Sequence, residues 1–242
     1  MAHDLCRTPM ILTLCGLLAC AASPESESAL GGSPDHAGYH AGGNEPFWTL
    51  TFGDTTMEFH DLGGKDTVRA NRPAPERRAD GWRFSATFDG APFVVLVQDG
   101  RCSDSMSGRP FPHTVIVTAR EQTYTGCGGD TASLLTGAEW HVTRLDDAAT
   151  IERTRPTLRF ATDGSLTGNG GCNLFHATYE ITGEGIAIGP AAATRRACAE
   201  AEANAQESRF FALLEQVTRF EIAEGGNLVL LAMDHPVIVA QR

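Results

Sequence analysis

The chain reads as a mainly β protein, of the all-β or α+β class, built as two small antiparallel barrel- or sandwich-like domains. The second of these carries a single packed helix. Three observations predict this. Short strand-like segments recur at a spacing of roughly ten residues, with turn signals between them. Helical periodicity occurs convincingly once, over residues 201–218. A length of 242 residues with ordinary apolar content suits two modest domains, each able to bury a core.

The first residues bear on the compartment. Arg7 gives a weak positive start, partly offset by Asp4, and an apolar run follows over residues 11–19. That run is too short to cross a bilayer, which takes about 20 residues. It ends Leu17-Leu18-Ala19-Cys20, which resembles the lipobox of bacterial lipoproteins. The resemblance implies a signal peptide over residues 1–19 and a Cys20 that is diacylated and becomes the mature N-terminus. The other reading is an ordinary secretory signal cut near Ala19, Ala21 or Ala22. Both readings export the protein. At about 0.8 kcal/mol per buried CH₂, two or more acyl chains hold a protein on a membrane where one does not. Ala21 stands where Asp would favour inner-membrane retention, so the resemblance implies the outer membrane, periplasmic side.

Charge narrows the partners. The net charge is −11, and Lys65 is the only lysine. No basic cluster is present to track a phosphate backbone or an anionic lipid surface, so nucleic acid is not expected as a partner. The expected partners are the membrane, through the lipid, and an unidentified envelope protein. No cofactor is expected. Of seven cysteines, four remain once residues 1–20 are set aside: Cys102, Cys127, Cys172 and Cys198. An even number in an oxidising compartment reads as disulfides. Four cysteines allow three pairings, and the local ones, Cys102 with Cys127 and Cys172 with Cys198, place one bridge in each half.

Taken in order, residues 20–43 are rich in Ser, Glu, Gly and Ala and predict a flexible tether. His36 and His40 lie in it, but Pro34, Gly38 and Gly42 oppose the helix that would bring them together on a metal. The first domain is expected over residues 44–130. Residues 47–52, 56–60, 82–88, 92–98, 114–119 and 122–126 read as strands, and the polar stretch 63–79 as a long loop or irregular edge. Asp80-Gly81, Asp89-Gly90 and Asp99-Gly100 punctuate them, because Asp-Gly supplies the positive φ of tight hairpins. Two motifs stand out: Asn44-Glu45-Pro46-Phe47-Trp48, and Cys102-Ser103-Asp104 with Met106-Ser107, followed by Phe111-Pro112 and Cys127. They resemble a domain of bacterial envelope proteins that brings no known activity.

The second domain is expected over residues 131–242, opening with a short linker at 131–137. Strands are predicted at 140–145, 157–161, 165–168, 173–182, 185–189, 219–223, 228–233 and 236–240, with the helix before the last three. Residues 162–164, 183–184, 224–227 and 234–235 are the turns. Phe210, Leu213, Leu214 and Val217 form the helix's apolar face, and its earliest glutamates suit the dipole. Gly168, Gly171, Cys172, Asn173, Phe175 and Tyr179, then Thr194, Arg195, Ala197 and Cys198, then Glu207, Phe210 and Leu214 follow the pattern of the META/HslJ domain, which residues 135–242 resemble. Arg196 departs from it, since members often carry methionine there. The resemblance implies a compact β-sheet fold against one helix. It also implies an envelope protein of a kind that is sometimes heat-inducible and linked to novobiocin tolerance, with no established catalysis.

Chemistry is weighed against this background. A nucleophilic Cys172 would need a depressed pKa and a base such as His176 or His141, whereas a second exported cysteine favours a structural bridge. Closing a loop of some 26 residues is worth roughly 3–4 kcal/mol. Zinc on Cys172, Cys198, His176 and His141 lacks the close cysteine pairing of structural sites. The run Gly168, Gly170, Gly171 lacks the Lys-Ser/Thr of a phosphate loop. Asp146-Asp147 reads as a solvated turn rather than an acid/base pair. Asn173, Arg195 and Glu207 remain as a candidate ligand site or structural polar network, with Glu207 expected to pair with a buried Arg195. The reading is a non-enzymatic envelope lipoprotein that acts by binding, in stress response or integrity. The alternative is a periplasmic inhibitor of a hydrolase such as lysozyme or a protease, using residues 69–78 as an inserted loop.

Overall fold

In the first domain, alternation of apolar and polar residues decides which side of each strand is buried. Trp48, Leu50 and Phe52 face inward and Phe47 and Thr49 outward; Phe93, Val95 and Val97, then Val115 and Val117, repeat the pattern. The computed structural model describes residues 34–61 and 67–242. The expectations for residues 1–19, Cys20 and most of the tether lie outside the described residues, as does Lys65.

The first nine strands are β1 (His40–Asn44), β2 (Phe47–Phe52), β3 (Thr56–Asp61), β4 (Thr67–Asn71), β5 (Glu76–Arg78), β6 (Gly81–Phe88), β7 (Ala91–Ser103), β8 (Pro110–Ala119) and β9 (Gln122–Gly128). They form one antiparallel sheet in the order β4-β3-β2-β1-β9-β8-β7-β6-β5. The sequence-adjacent strands β4 and β5 are its two edges. Only residues 72–75 join them, a reach of about 18 Å at full extension. The sheet therefore has to curl until its edges approach, and β4 lies against β6. No hydrogen-bonded pairing closes the ring among the described residues, so the domain is sandwich-like rather than a closed barrel.

Two expectations are corrected here, and a third is decided between its alternatives. The tether does not extend to residue 43: Tyr39 and Ala41 are buried, and β1 pairs with both β2 and β9. Its glycines serve close packing rather than flexibility. A Cβ on Gly43 would sit 2.3 Å from Trp48 Nε1, and one on Gly126 2.0 Å from the Gly42 carbonyl oxygen. Of the two readings of stretch 63–79, a long loop or an irregular edge, the described part gives the edge: it supplies both edge strands, whose polar character fits that place. Asp99-Gly100 is not a hairpin turn. Gly100 (φ 137°) sits at the register shift between Asp99 and Cys102, a bulge that lets β7 run on to Ser103. By contrast Asp89 (φ 50°) and Gly90 (φ 77°) make the expected tight turn.

The second domain opens with a short 3-10 helix (Thr131–Leu134), capped by the Asp130 side chain. The expected linker is thus folded, with Leu134 and Leu135 in the second core. Then come β10 (Trp140–Leu145), β11 (Ala148–Ala149), β12 (Thr157–Phe160), β13 (Ser165–Asn169), β14 (Leu174–Ile181), β15 (Ile186–Ile188), β16 (Ala192–Ala193), α1 (Ala201–Leu214), β17 (Arg219–Ile222), β18 (Leu228–Ala232) and β19 (His235–Gln241). The sheet order is β15-β14-β13-β12-β10-β19-β18-β17, all antiparallel, with β11 on β10 and β16 on β14. The edges draw together at a single bond, from the Ile186 N–H to the Thr218 carbonyl (3.0 Å).

Helix α1 lays Phe210, Leu213 and Leu214 into this core, where Phe175 meets the Phe210 and Phe211 rings at 5.6 and 5.5 Å. It ends at Leu214, four residues earlier than expected. Gln216 and Val217 donate to the Leu213 and Leu214 carbonyls, and the Thr218 N–H already bonds Leu231 of β18. Val217 stays buried beyond the helix. The last turn is Met233-Asp234 rather than 234–235, with Met233 at φ 56°.

Three arginines join the domains. Arg101 and Arg109 donate to the Glu224 and Thr182 carbonyls (3.3 and 3.0 Å), and Arg219 returns a bond to the Ser107 carbonyl (2.9 Å). The segment carrying Asp104, Met106 and Ser107 thus lies at the junction.

Candidate functional site

The glycine-rich turn after β13 brings the chain close to α1. A Cβ on Gly170 would sit 2.7 Å from the Phe211 ring and 3.0 Å from Glu207 Oε1, so glycine there admits the carboxylate. Glu207 is buried. Its Oε1 accepts the N–H groups of Cys172 (2.9 Å) and Asn173 (2.7 Å), and its Oε2 accepts Asn173 Nδ2 (2.6 Å). A carboxylate inside a domain is tolerated when several donors replace its water, and here two backbone amides and a side-chain amide do so.

Asn173 completes the network. Its Nδ2 also donates to the Arg196 carbonyl (2.9 Å), and its Oδ1 accepts from Thr194 Oγ1 (2.8 Å) and the Arg196 N–H (2.7 Å). Both donors and two acceptor positions of the amide are filled, its full ordinary capacity. One buried side chain thus ties the glycine turn, segment 194–198 and the helix together. The Cys172–Cys198 disulfide spans the same elements, with Cα atoms 5.6 Å apart. Asn204 of α1 adds two bonds to the main chain of Cys198.

Arg195 does not take the expected place. It is exposed and makes no hydrogen bond or ion pair among the described residues. The segment runs extended past Asn173, turning the Thr194 hydroxyl and the Arg196 main chain toward it and leaving Arg195 outside. Glu207 needs no guanidinium because amides already surround it. Arg196 uses only its backbone here and its side chain is exposed, so this position does not depend on methionine.

The thiol chemistry is placed as follows. The Cys172 and Cys198 sulfurs and the Glu207 carboxylate lie within 4.8 Å of one another, a spacing that suits a metal ion. Both sulfurs are in a disulfide, and a disulfide does not supply the thiolates that metals and nucleophilic catalysis require. His176 and His141 are exposed and are not part of this cluster. Asp146 and Asp147 lie in a turn, with Asp146 held by Arg209 of α1 (2.8 Å). The other disulfide, Cys102–Cys127, joins β7 to β9 with Cα atoms 5.4 Å apart.

A second constellation was carried by sequence motifs but assigned no role. Asn44 Nδ2 donates to Asp104 Oδ2 (2.8 Å) and Ser105 Oγ (3.0 Å), which joins the two motifs of the first domain. Asp104 also accepts from the Met106 and Ser107 N–H groups and the Ser107 hydroxyl. Burial opposes its charge, but these bonds outweigh burial and hold its carboxyl below the usual range.

Beside this bridge lies a groove of about 470 Å³ on the outer face of β1 and β2. Gly42 leaves its floor bare. Phe47, Phe111 and Ile181 of β14 give it apolar walls, and Thr49, Arg109 and Asp130 its polar groups. The Arg109 guanidinium lies over the Phe111 ring, 4.6 Å from its centroid. Phe47 is 50 % exposed. An aromatic at the outward position of β2 within the Asn44–Trp48 motif was the available signal.

Comparison with known proteins agrees with one half of the chain. Residues 133–242 match the model of the META domain. No curated protein and no solved structure matches the chain. The first domain's resemblance therefore rests on its two motifs.

Proposed function

We propose that this is an exported, lipid-anchored envelope protein of the outer membrane, periplasmic side, which supports stress response or envelope integrity by binding rather than by catalysis. The observation that carries the reading is the META domain over residues 133–242. The Asn173–Glu207 network and two disulfides support it, being features that stiffen a domain for an oxidising compartment. Cys20 is the proposed acylation site. The alternative is a periplasmic inhibitor of a hydrolase, for which residues 69–78 were the expected inserted loop. Residues 69–78 run through two edge strands, and their arginines are engaged within the sheet, Arg69 with Glu58 and Arg77 with Asp99.

The test is genetic and chemical. A strain lacking the protein is expected to be more sensitive to heat and to novobiocin, and to be rescued by the wild-type chain but not by Cys20→Ala. Radioactive palmitate is expected to label the wild type alone. Unchanged stress survival in the deletion strain refutes the role, and label persisting on Cys20→Ala refutes the anchor.

A further inference from the structure

We propose that the groove at the domain junction binds an uncharged oligosaccharide. A pyranose ring offers an apolar C–H face and an edge of hydroxyl groups. The groove offers the complement: a half-exposed Phe47 ring, with hydrogen-bonding groups around it. Thr49, Asp130 and Arg109 stand on its walls. Arg109 is fixed by its Nη1 bond to Thr182 (3.0 Å) and by its stacking on Phe111, and it makes no ion pair among the described residues. Asp130 spends its Oδ1 on the Ala132 N–H, so it too is held in place.

Charge selects an uncharged ligand. Two carboxylates, Asp104 and Asp130, face one guanidinium, so an anionic glycan meets net repulsion. Shape selects a chain over a single sugar. A second chamber of about 310 Å³ shares Gly42, Gly43, Asn44 and Asp104 with the first, so the Asn44–Asp104 bridge lies between two adjoining chambers. The bare backbone at Gly42 permits a ligand to lie close to the strand. The inference is independent of the lipid anchor and of the second domain's role.

The experiment titrates the mature full-length chain with fully N-acetylated chitohexaose and cellohexaose, by calorimetry and by saturation-transfer NMR. Binding of at least one series is expected, weakened about tenfold or more by Phe47→Ala and by Asp130→Asn, with thermal melts of both variants unchanged. Absence of binding to both series at about 10 mM overturns the proposal. So does binding that both variants leave intact, or binding of an uncharged hexapeptide in place of the sugars.

Discussion

Removing the Asn173 side chain is the sharpest test of what the second domain is built around. Asn173→Ala deletes four hydrogen bonds at once, one of them to the buried Glu207 carboxylate. A bond to a charged group is worth about 1.5–3 kcal/mol net and each neutral one about 0.5–1.5 kcal/mol. The simple total runs from about 3 to about 7.5 kcal/mol. The Arg196 main chain lies near the surface, where water takes over its two bonds, which brings the expected loss to roughly 2–4.5 kcal/mol. Glu207 keeps the amides of Cys172 and residue 173, so the variant still folds. The assay is guanidinium unfolding of the full chain followed by hydrogen exchange of peptides from residues 133–242, which reads this domain apart from the first. Asn173→Asp refines the test. It places a second carboxylate where Nδ2 now meets Glu207 Oε2 at 2.6 Å, so like-charge repulsion is expected to make it at least as destabilising as Asn173→Ala at pH 7. Arg195→Ala is expected to change stability by less than about 0.5 kcal/mol. A loss below about 1 kcal/mol for Asn173→Ala, or an Arg195→Ala loss that equals it, refutes the reasoning.

Three further outcomes are expected. Replacing Cys172 and Cys198 together by alanine removes a bridge with a sequence separation of 26 and lowers stability by roughly 3–4 kcal/mol; four alkylatable thiols in the unreduced mature protein count against both bridges. Burial pushes the His113 imidazole below its usual pKa, against a smaller opposing effect of Asp99, and its Nδ1 lies 3.2 Å from the Tyr39 hydroxyl. The unfolded chain therefore takes up the proton first, and the first domain's stability, full above about pH 6.5, falls as pH drops below it; His113→Gln is expected to flatten that slope in a pH series of melts, and an unchanged slope rejects the assignment. Arg242 stacks on Trp140 at 4.3 Å and donates to the Leu134 and Thr136 carbonyls, so Arg242→Ala is expected to cost about 1–2 kcal/mol in the second domain, and a neutral variant contradicts this.

Fold class was readable because burial in a sheet writes itself into the sequence with a period of two. Trp48, Leu50 and Phe52 declared β2, and the turns at Asp89-Gly90 and 162–164 carried their own chemistry. What was misread shares one cause. Glycine and polar residues report local freedom, whereas the fold used them for contact or for edges. Residues 40–43 read as tether because the reason for Gly43 lies at Trp48, across the strand pair, and the reason for Gly126 lies at Gly42. Residues 67–71 and 76–78 read as loop or irregular edge, and not as definite strands, because edge strands discard the apolar alternation that marks a strand.

The same distinction separates the two parts of the candidate site. Asn173 and Glu207 were found by pattern, but the pattern could not say which neighbour each would meet. Arg195 was assigned to Glu207 by charge, on the premise that a buried arginine needs an acid. That premise failed at burial: the segment's path, set by Thr194 and the Arg196 backbone on Asn173, turns Arg195 to solvent. A motif residue with no internal partner among the described residues differs in kind from one whose every polar atom is engaged. Asn173 and Glu207 are accounted for by the bonds they make to their own chain. Arg195 and Phe47 are not accounted for by packing, and each lies in a motif of its domain, exposed beside a disulfide-tied segment. If the two domains meet ligands, these exposed residues are where variants should change binding while leaving stability alone. Paired Phe47→Ala and Arg195→Ala variants, compared by melting and by crosslinking to envelope partners in intact cells, test that separation. Loss of stability without loss of captured partners would place both residues with the fold instead.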